Sequence, residues 1–350
     1  MNQLSTAPLQ QSWKTDFDIT QVPLSEIMPL GERDSMTPID APVWKTVAEV
    51  TWLSDKSPVI VVSINTPARA YPLTVLIQHG VVNDVAGNVP VAVTFCPLCN
   101  SPIVYERTVE GQILRFGTTG TIRNSGLMMW DDLTQSWWQQ FTGEAIVGAY
   151  SGTLLQVVPS QMVGFAAFAS RYPEGVVLVG DADEPVMSYG RNPYIDYDTS
   201  PQPFLYTATV DSRLFATERV LATVINQQPM AYPFSALSTK KVVNDRVDGW
   251  NVVAFWQSGA VSVQDNAKID ESRDVGMAML FNPQVDGKTL TFRYEDGAFV
   301  DEQTGSQWNI FGEAINGELK GSLLMPYNAY PYFWFAWAAN YPATEIYSSP

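Results

Sequence analysis

An internal repeat constrains this chain more than any other feature of it. Ala70-Tyr71-Pro72-Leu73 returns as Ala231-Tyr232-Pro233-Phe234, and Val81-Val82-Asn83-Asp84 returns at the same offset as Val242-Val243-Asn244-Asp245. Farther along, Gly143-Glu144-Ala145-Ile146 matches Gly312-Glu313-Ala314-Ile315, Trp138 matches Trp308, and Tyr172-Pro173 matches Tyr341-Pro342. The order never changes, so each copy must build the same elements and bury the same faces. The repeat divides the chain into an irregular lead-in over 1–45, a first unit over 46–180, a connector over 181–210 and a second, degenerate unit over 211–350.

Within each unit, short apolar or β-branched runs bounded by Gly and Pro, such as 58–64 and 145–148, read as strands. Residues 74–78 read as a helical turn, and 161–170 carry a helix-like spacing that stops before Pro173. Long helices do not alternate with these strands, which argues against a parallel α/β sheet. The predicted fold is mainly β, of the α+β class with few short helices. It forms two tandem pseudo-symmetric units, each barrel-like or a rolled sheet.

A duplication is its own control. Residues that both copies keep serve the fold, and residues that one copy keeps alone are candidates for function. Asn83-Asp84 and Asn244-Asp245 persist, and read as side chains that satisfy backbone groups near a turn. The only histidine of the chain, His79, and its only cysteines, Cys96 and Cys99, do not persist; their counterparts are Lys240, Gln257 and Ala260. Asp248-Gly249 marks a hairpin, and its counterpart Gly87-Asn88, with Gly first, predicts a type II′ turn. Counting outward through that turn sets His79 opposite Cys96 on one face, with Cβ atoms about 5 Å apart.

Two thiolates and one imidazole cannot complete a four-ligand structural zinc site. They leave an open position, the pattern of a catalytic or transfer site, for water, substrate or a carboxylate such as Asp84. Soft thiolates favour zinc or copper(I). The expectation is a soft-metal site at His79, Cys96 and Cys99, for metal handling or a metal-assisted reaction. Met128 and Met129 offer thioethers for copper, although paired Met in an apolar strand is more often core. A second reading is a thiol–disulfide redox protein using Cys96-Pro97-Leu98-Cys99. The strand before this motif resembles thioredoxin, but thioredoxin continues into a helix whose N-terminus lowers the first thiol's pKa. Here a strand-like run, 100–105, follows. A non-catalytic binding or scaffold module is the third reading.

Other stretches carry less. Gly117-Thr118-Thr119-Gly120 lacks the Lys of a phosphate loop. Asp131-Asp132 reads as the lining of a turn, the Trp334 to Trp337 group as helix core, and the Tyr189 to Tyr194 group as packing between units. With 36 acidic and 20 basic residues, the net charge of −16 argues against nucleic acid and anionic membranes. A metal ion or small molecule is the expected partner. The longest apolar run, 330–339, is too short to span a bilayer. No signal peptide is read at the start of the given chain, and two cysteines make no disulfide framework that would fix the compartment.

Several longer motifs resemble one family. The runs at 79–84 (HGVVND), 91–101 (VAVTFCPLCNS), 122–131 (IRNSGLMMWD), 134–148, 189–194 (YGRNPY) and 333–347 look like the bacterial and archaeal domain-of-unknown-function 3179 family. The resemblance runs from about Gly31 to Tyr347. It implies an exported, extracytoplasmic protein and supports the cluster as a site, while assigning no reaction. The family's first motif usually reads His-Glu; Gly80 stands here in place of the Glu.

Overall fold

The computed structural model describes residues 12–65, 67–182 and 189–348. Residues 1–11 of the lead-in and 183–188 of the connector fall outside them. The described chain is mainly β, with a few short helices. Its sheets of two to five strands are all open, so the barrel-like alternative is not what forms.

In the N-terminal half, Pro58–Val62 and Arg69–Pro72 pair antiparallel. Gln161–Gly164 adds beside the first of them, and Val176–Asp181 pairs parallel with the second. In the C-terminal half, Arg219–Ile225 and Gln228–Pro233 pair antiparallel, with Tyr330–Phe333 on one side and Glu345–Ile346 parallel on the other. The lead-in adds Pro42–Thr46 at one sheet edge and Ile27–Pro29 beside Phe116–Arg123.

The Ala-Tyr-Pro motif explains the local geometry. Tyr71 and Tyr232 are fully buried in the sheet, and the following Pro72 and Pro233 cap short helices, Leu73–His79 and Phe234–Lys240. Proline's fixed φ and missing N–H suit the passage from strand to helix. Each helix ends on a left-handed residue, Gly80 at φ 70° and Lys241 at φ 64°, which turns the chain into the next strand. Gln161–Gly164 is strand, so the helix expected from 161 starts later, at Phe165–Arg171. Gly164 sets that boundary.

The paired strands Val81–Ala86 and Val89–Cys96 run in the expected register, Ala86 opposite Val89, as do Val247 and Trp250 in the C-terminal half. Gly87 and Asn88 both have positive φ, so the turn is type I′ rather than II′. Asn83 donates to Phe116 O and accepts from Phe116 N, at 2.7 and 2.9 Å, and Asn244 does the same with Phe292. These Asn side chains bind the backbone of a strand in another sheet, not their own turn. Asp131 accepts from Thr134 and from Trp138 Nε1, and Asp301 accepts in the same way from Thr304 and Trp308.

The two halves share their cores. One apolar cluster joins Cys96, Cys99 and Tyr105 to Phe333, Trp334 and Trp337, and another joins Val59 and Phe168 to Phe255 and Trp308. Neither half buries its own apolar surface alone.

Candidate thiol site

His79 does not stand opposite Cys96. Ladder pairing begins at Val81 with Thr94, because Gly80 is the left-handed cap of a helix that still includes His79. The His79 ring is buried, with Nδ1 2.7 Å from Thr37 O and Nε2 2.9 Å from Tyr189 Oη. A carbonyl only accepts, so Nδ1 carries a proton, and Nε2 shares a hydrogen bond with the Tyr189 hydroxyl. Asp84 is engaged with Arg69 and, at 2.6 Å, with the Tyr71 hydroxyl. Met128 and Met129 are wholly buried core. Among the described residues, no group of three His, Cys, Asp or Glu side chains is placed to hold a metal ion.

The two cysteines do come together. The strand Val89–Cys96 pairs with Ser101–Glu106, Cys96 opposite Ser101, so 97–100 form the tip of a hairpin. Asn100 closes it with φ 51°, a conformation that Asn tolerates. Both cysteines are free thiols, each 1% exposed. Burial alone pushes the Cys96 thiol up. Hydrogen bonds from the Cys99 thiol and from the N–H groups of Leu127, Cys99 and Leu98 outweigh burial and hold it below the ordinary thiol range. Cys99 moves the other way: the hydrogen bond it gives to Cys96, then burial and the charge on Cys96, push it well above that range. The two thiols are thus displaced in opposite directions.

A second hairpin covers the thiols. Phe116–Arg123 and Gly126–Asp131 turn at Asn124-Ser125, both left-handed. The tip brings Leu127 N to 3.4 Å from Cys96 Sγ and Ser125 O to 3.5 Å from Cys99 Sγ. Gly126 suits the tight turn, since a Cβ there would lie 3.1 Å from Arg123 O, while at 3.5 Å it would only touch Cys99 Sγ. The strands at the corresponding place in the C-terminal half, Phe292–Glu295 and Ala298–Asp301, are shorter and turn at Asp296-Gly297.

The C-terminal half and the connector brace the loop from the other side. Where the thiol hairpin turns in four residues, the strands Trp250–Gln257 and Met277–Asn282 are joined by the long segment 258–276. Gln264 in that segment donates to Pro97 O at 3.0 Å and to Asn100 Oδ1 at 3.1 Å. Gln264 in turn accepts from Arg219, which forms a buried ion pair with Asp198 at 2.8 Å. Tyr197 donates to Leu98 O at 3.1 Å, and Phe333 N donates to Cys99 O at 2.9 Å. Burial, and then the charge on Cys96, push Tyr194 up to about 12.

A pocket of about 190 Å³ opens beside Cys96, between the lead-in, the covering hairpin and Tyr194. A larger groove of about 670 Å³ lies at the far end of helix Phe165–Arg171. It contains neither thiol, and its charged Lys56 and Arg171 are paired with Asp274 and Glu313.

A family model described as "Protein of unknown function (DUF3179)" matches residues 33–344. The chain belongs to that family. The DUF3179 match takes in both thiols, the covering hairpin, Tyr197 and Gln264. No curated protein and no solved structure matches the chain. No helix among the described residues is long and apolar enough to cross a membrane.

Nothing in the sequence marks Ser125, Leu127, Tyr197 or Gln264 as neighbours of the thiols. Ser125 and Leu127 act through backbone atoms. The one visible signal was that the covering hairpin and the 258–276 segment are the places where the two repeats differ in length.

Proposed function

We propose that Cys96 and Cys99 form a dithiol that exchanges with disulfides, with Cys96 attacking and Cys99 resolving. The observation that carries this reading is two free thiols at one hairpin tip, with the Leu127 N–H 3.4 Å from Cys96 Sγ and a pocket that opens beside that sulfur. Hydrogen bonds of this kind stabilise the thiolate, which is the nucleophile in exchange. The Cys96 thiolate attacks one sulfur of a substrate disulfide, forming a mixed disulfide and expelling the other sulfur as a thiolate. Cys99 gives its proton to the departing thiolate and, as a thiolate, attacks Cys96 Sγ, which releases the second substrate sulfur as a thiolate that water protonates. The products are a Cys96–Cys99 disulfide and a reduced substrate, a transfer of two electrons that is reversible.

We also read the chain as two tandem pseudo-symmetric units, 46–180 and 211–350, joined by 181–210. The matched strand orders, the Asn83/Asn244 bridges and the Asp131/Asp301 turns support this. Departures from the pattern converge on the thiols: the longer covering hairpin, the 258–276 segment and the cysteines themselves.

Alkylation with mass spectrometry across a series of thiol–disulfide buffers tests the main reading. A single two-electron midpoint shared by both cysteines is expected; two thiols that stay reduced in strongly oxidising buffer would refute it.

The adjacent soft donors also favour a second reading, a zinc or copper(I) ion held by Cys96 and Cys99 with His79 swinging in as third ligand. The structure as it stands fits a two-donor site, with both His79 ring nitrogens already engaged. Replacing His79 separates the readings. In His79→Ala the dithiol reading expects an unchanged midpoint, whereas the metal reading expects loss of stoichiometric zinc or copper(I) binding.

A further inference from the structure

Resting on the dithiol reading, we infer that the substrate is a protein-borne disulfide flanked by apolar residues, and not a small charged disulfide such as that of glutathione. Three features of the approach to Cys96 point this way. None of the described residues lining the pocket is charged; its walls include Leu30, Met36, Leu98, Ile122 and Leu127. A polyanionic disulfide would shed its hydration there and find no cation in return.

The size of the pocket is the second feature. Pockets that enclose a drug-sized ligand run roughly 300–1,000 Å³, and this one holds about 190 Å³. It has room for a cysteine arm with an apolar neighbour, so the rest of the substrate must lie outside.

Exposed apolar residues near the site are the third. Leu30 on the pocket wall is 49% exposed, and Ile195, next to the lining residue Tyr194, is 56% exposed. Phe204, whose carbonyl accepts from the Ser125 hydroxyl of the covering tip, is 51% exposed, and Leu205 beside it is 40% exposed. Leu205 is held at φ 51°, a left-handed position that disfavours a non-glycine residue. The half-exposed Leu30 extends the apolar wall of the pocket outward, which suits a peptide segment laid against it with its cysteine directed inward.

Stopped-flow oxidation of the reduced full chain by three probes tests this. The probes are a neutral peptide disulfide with Leu and Phe flanks, the same peptide with Asp flanks, and oxidised glutathione. The neutral peptide is expected to react at least ten-fold faster than the other two, and the ratio should persist in high salt. Leu30→Arg should narrow the gap by accelerating the Asp-flanked peptide several-fold. Equal rates, or faster reaction with glutathione disulfide, would overturn the substrate assignment and leave the dithiol standing. A ratio that collapses in high salt would also overturn it, by tracing the preference to the net charge of −16. Failure of every probe to oxidise the pair would remove the dithiol reading, and this one with it.

Discussion

Removing the Cys99 hydrogen bond should raise the pKa of Cys96 by about one unit. Of the donors on the Cys96 sulfur, the Cys99 thiol is the only side chain; Leu127, Cys99 and Leu98 give backbone N–H groups that a side-chain substitution leaves in place. A hydrogen bond to a charged group contributes roughly 1.5–3 kcal/mol, and a thiol is a weak donor, so the low end applies. At 1.36 kcal/mol per unit, that is about one pKa unit. The comparison uses two single-thiol proteins, Cys99→Ala and Cys99→Ser, since a serine hydroxyl restores a donor. Rates of iodoacetamide alkylation against pH give the Cys96 pKa in each, and the Ala variant should titrate about one unit above the Ser variant. The stability change has a definite sign. A thiol whose folded pKa lies below its unfolded value contributes stability above the unfolded pKa and loses it as pH falls through the folded pKa. The Ala variant should therefore be the less stable by about 1.4 kcal/mol above pH ~8.5, with the difference fading in acid. Coincident titration curves for the two variants would refute the reasoning.

Two further outcomes follow from the geometry. Gly80→Leu places a side chain against Met36, Thr118 and Leu127 of the Cys96 pocket, where a Cβ already approaches to 3.3–3.6 Å; Cys96 alkylation should slow at least ten-fold. Because Lys241 takes the same left-handed cap at φ 64°, the fold should survive with a loss of about 1–2 kcal/mol on denaturant unfolding. Asp131→Asn and Asp301→Asn each weaken equivalent charge-assisted turns, so thermal unfolding should show similar losses of about 1–3 kcal/mol, with the redox midpoint unmoved in both.

Much of the fold was legible in the sequence because its repeated signals act locally. Tyr71-Pro72 and Tyr232-Pro233 each close a strand and open a helix, and a two-residue turn sets register by counting. The placement of His79 failed for an equally local reason. The count from Ala86 and Val89 holds only while the chain is extended, and Gly80 stops it one residue short. The cysteine pair was legible as a pair. What surrounds it was not, because Leu127 and Ser125 contribute backbone atoms that any residue carries. Gln264 reaches Pro97 from the other half of the chain, and no spacing in the sequence reports that contact.

The hydrogen bond from Phe333 to Cys99 also sets an order of events in synthesis. The carbonyl that follows the second thiol finds its partner about 230 residues downstream, and contacts of such separation form late. Until the strand Tyr330–Phe333 and the helix after it have emerged, the thiol hairpin lacks the apolar wall formed by Phe333, Trp334 and Trp337. A nascent chain thus carries two neighbouring cysteines without their shelter, open to oxidants and to metal ions that the finished protein screens behind a small apolar pocket. Docking of the C-terminal half therefore changes which partners can reach the pair, leaving the pocket beside Cys96 as the approach.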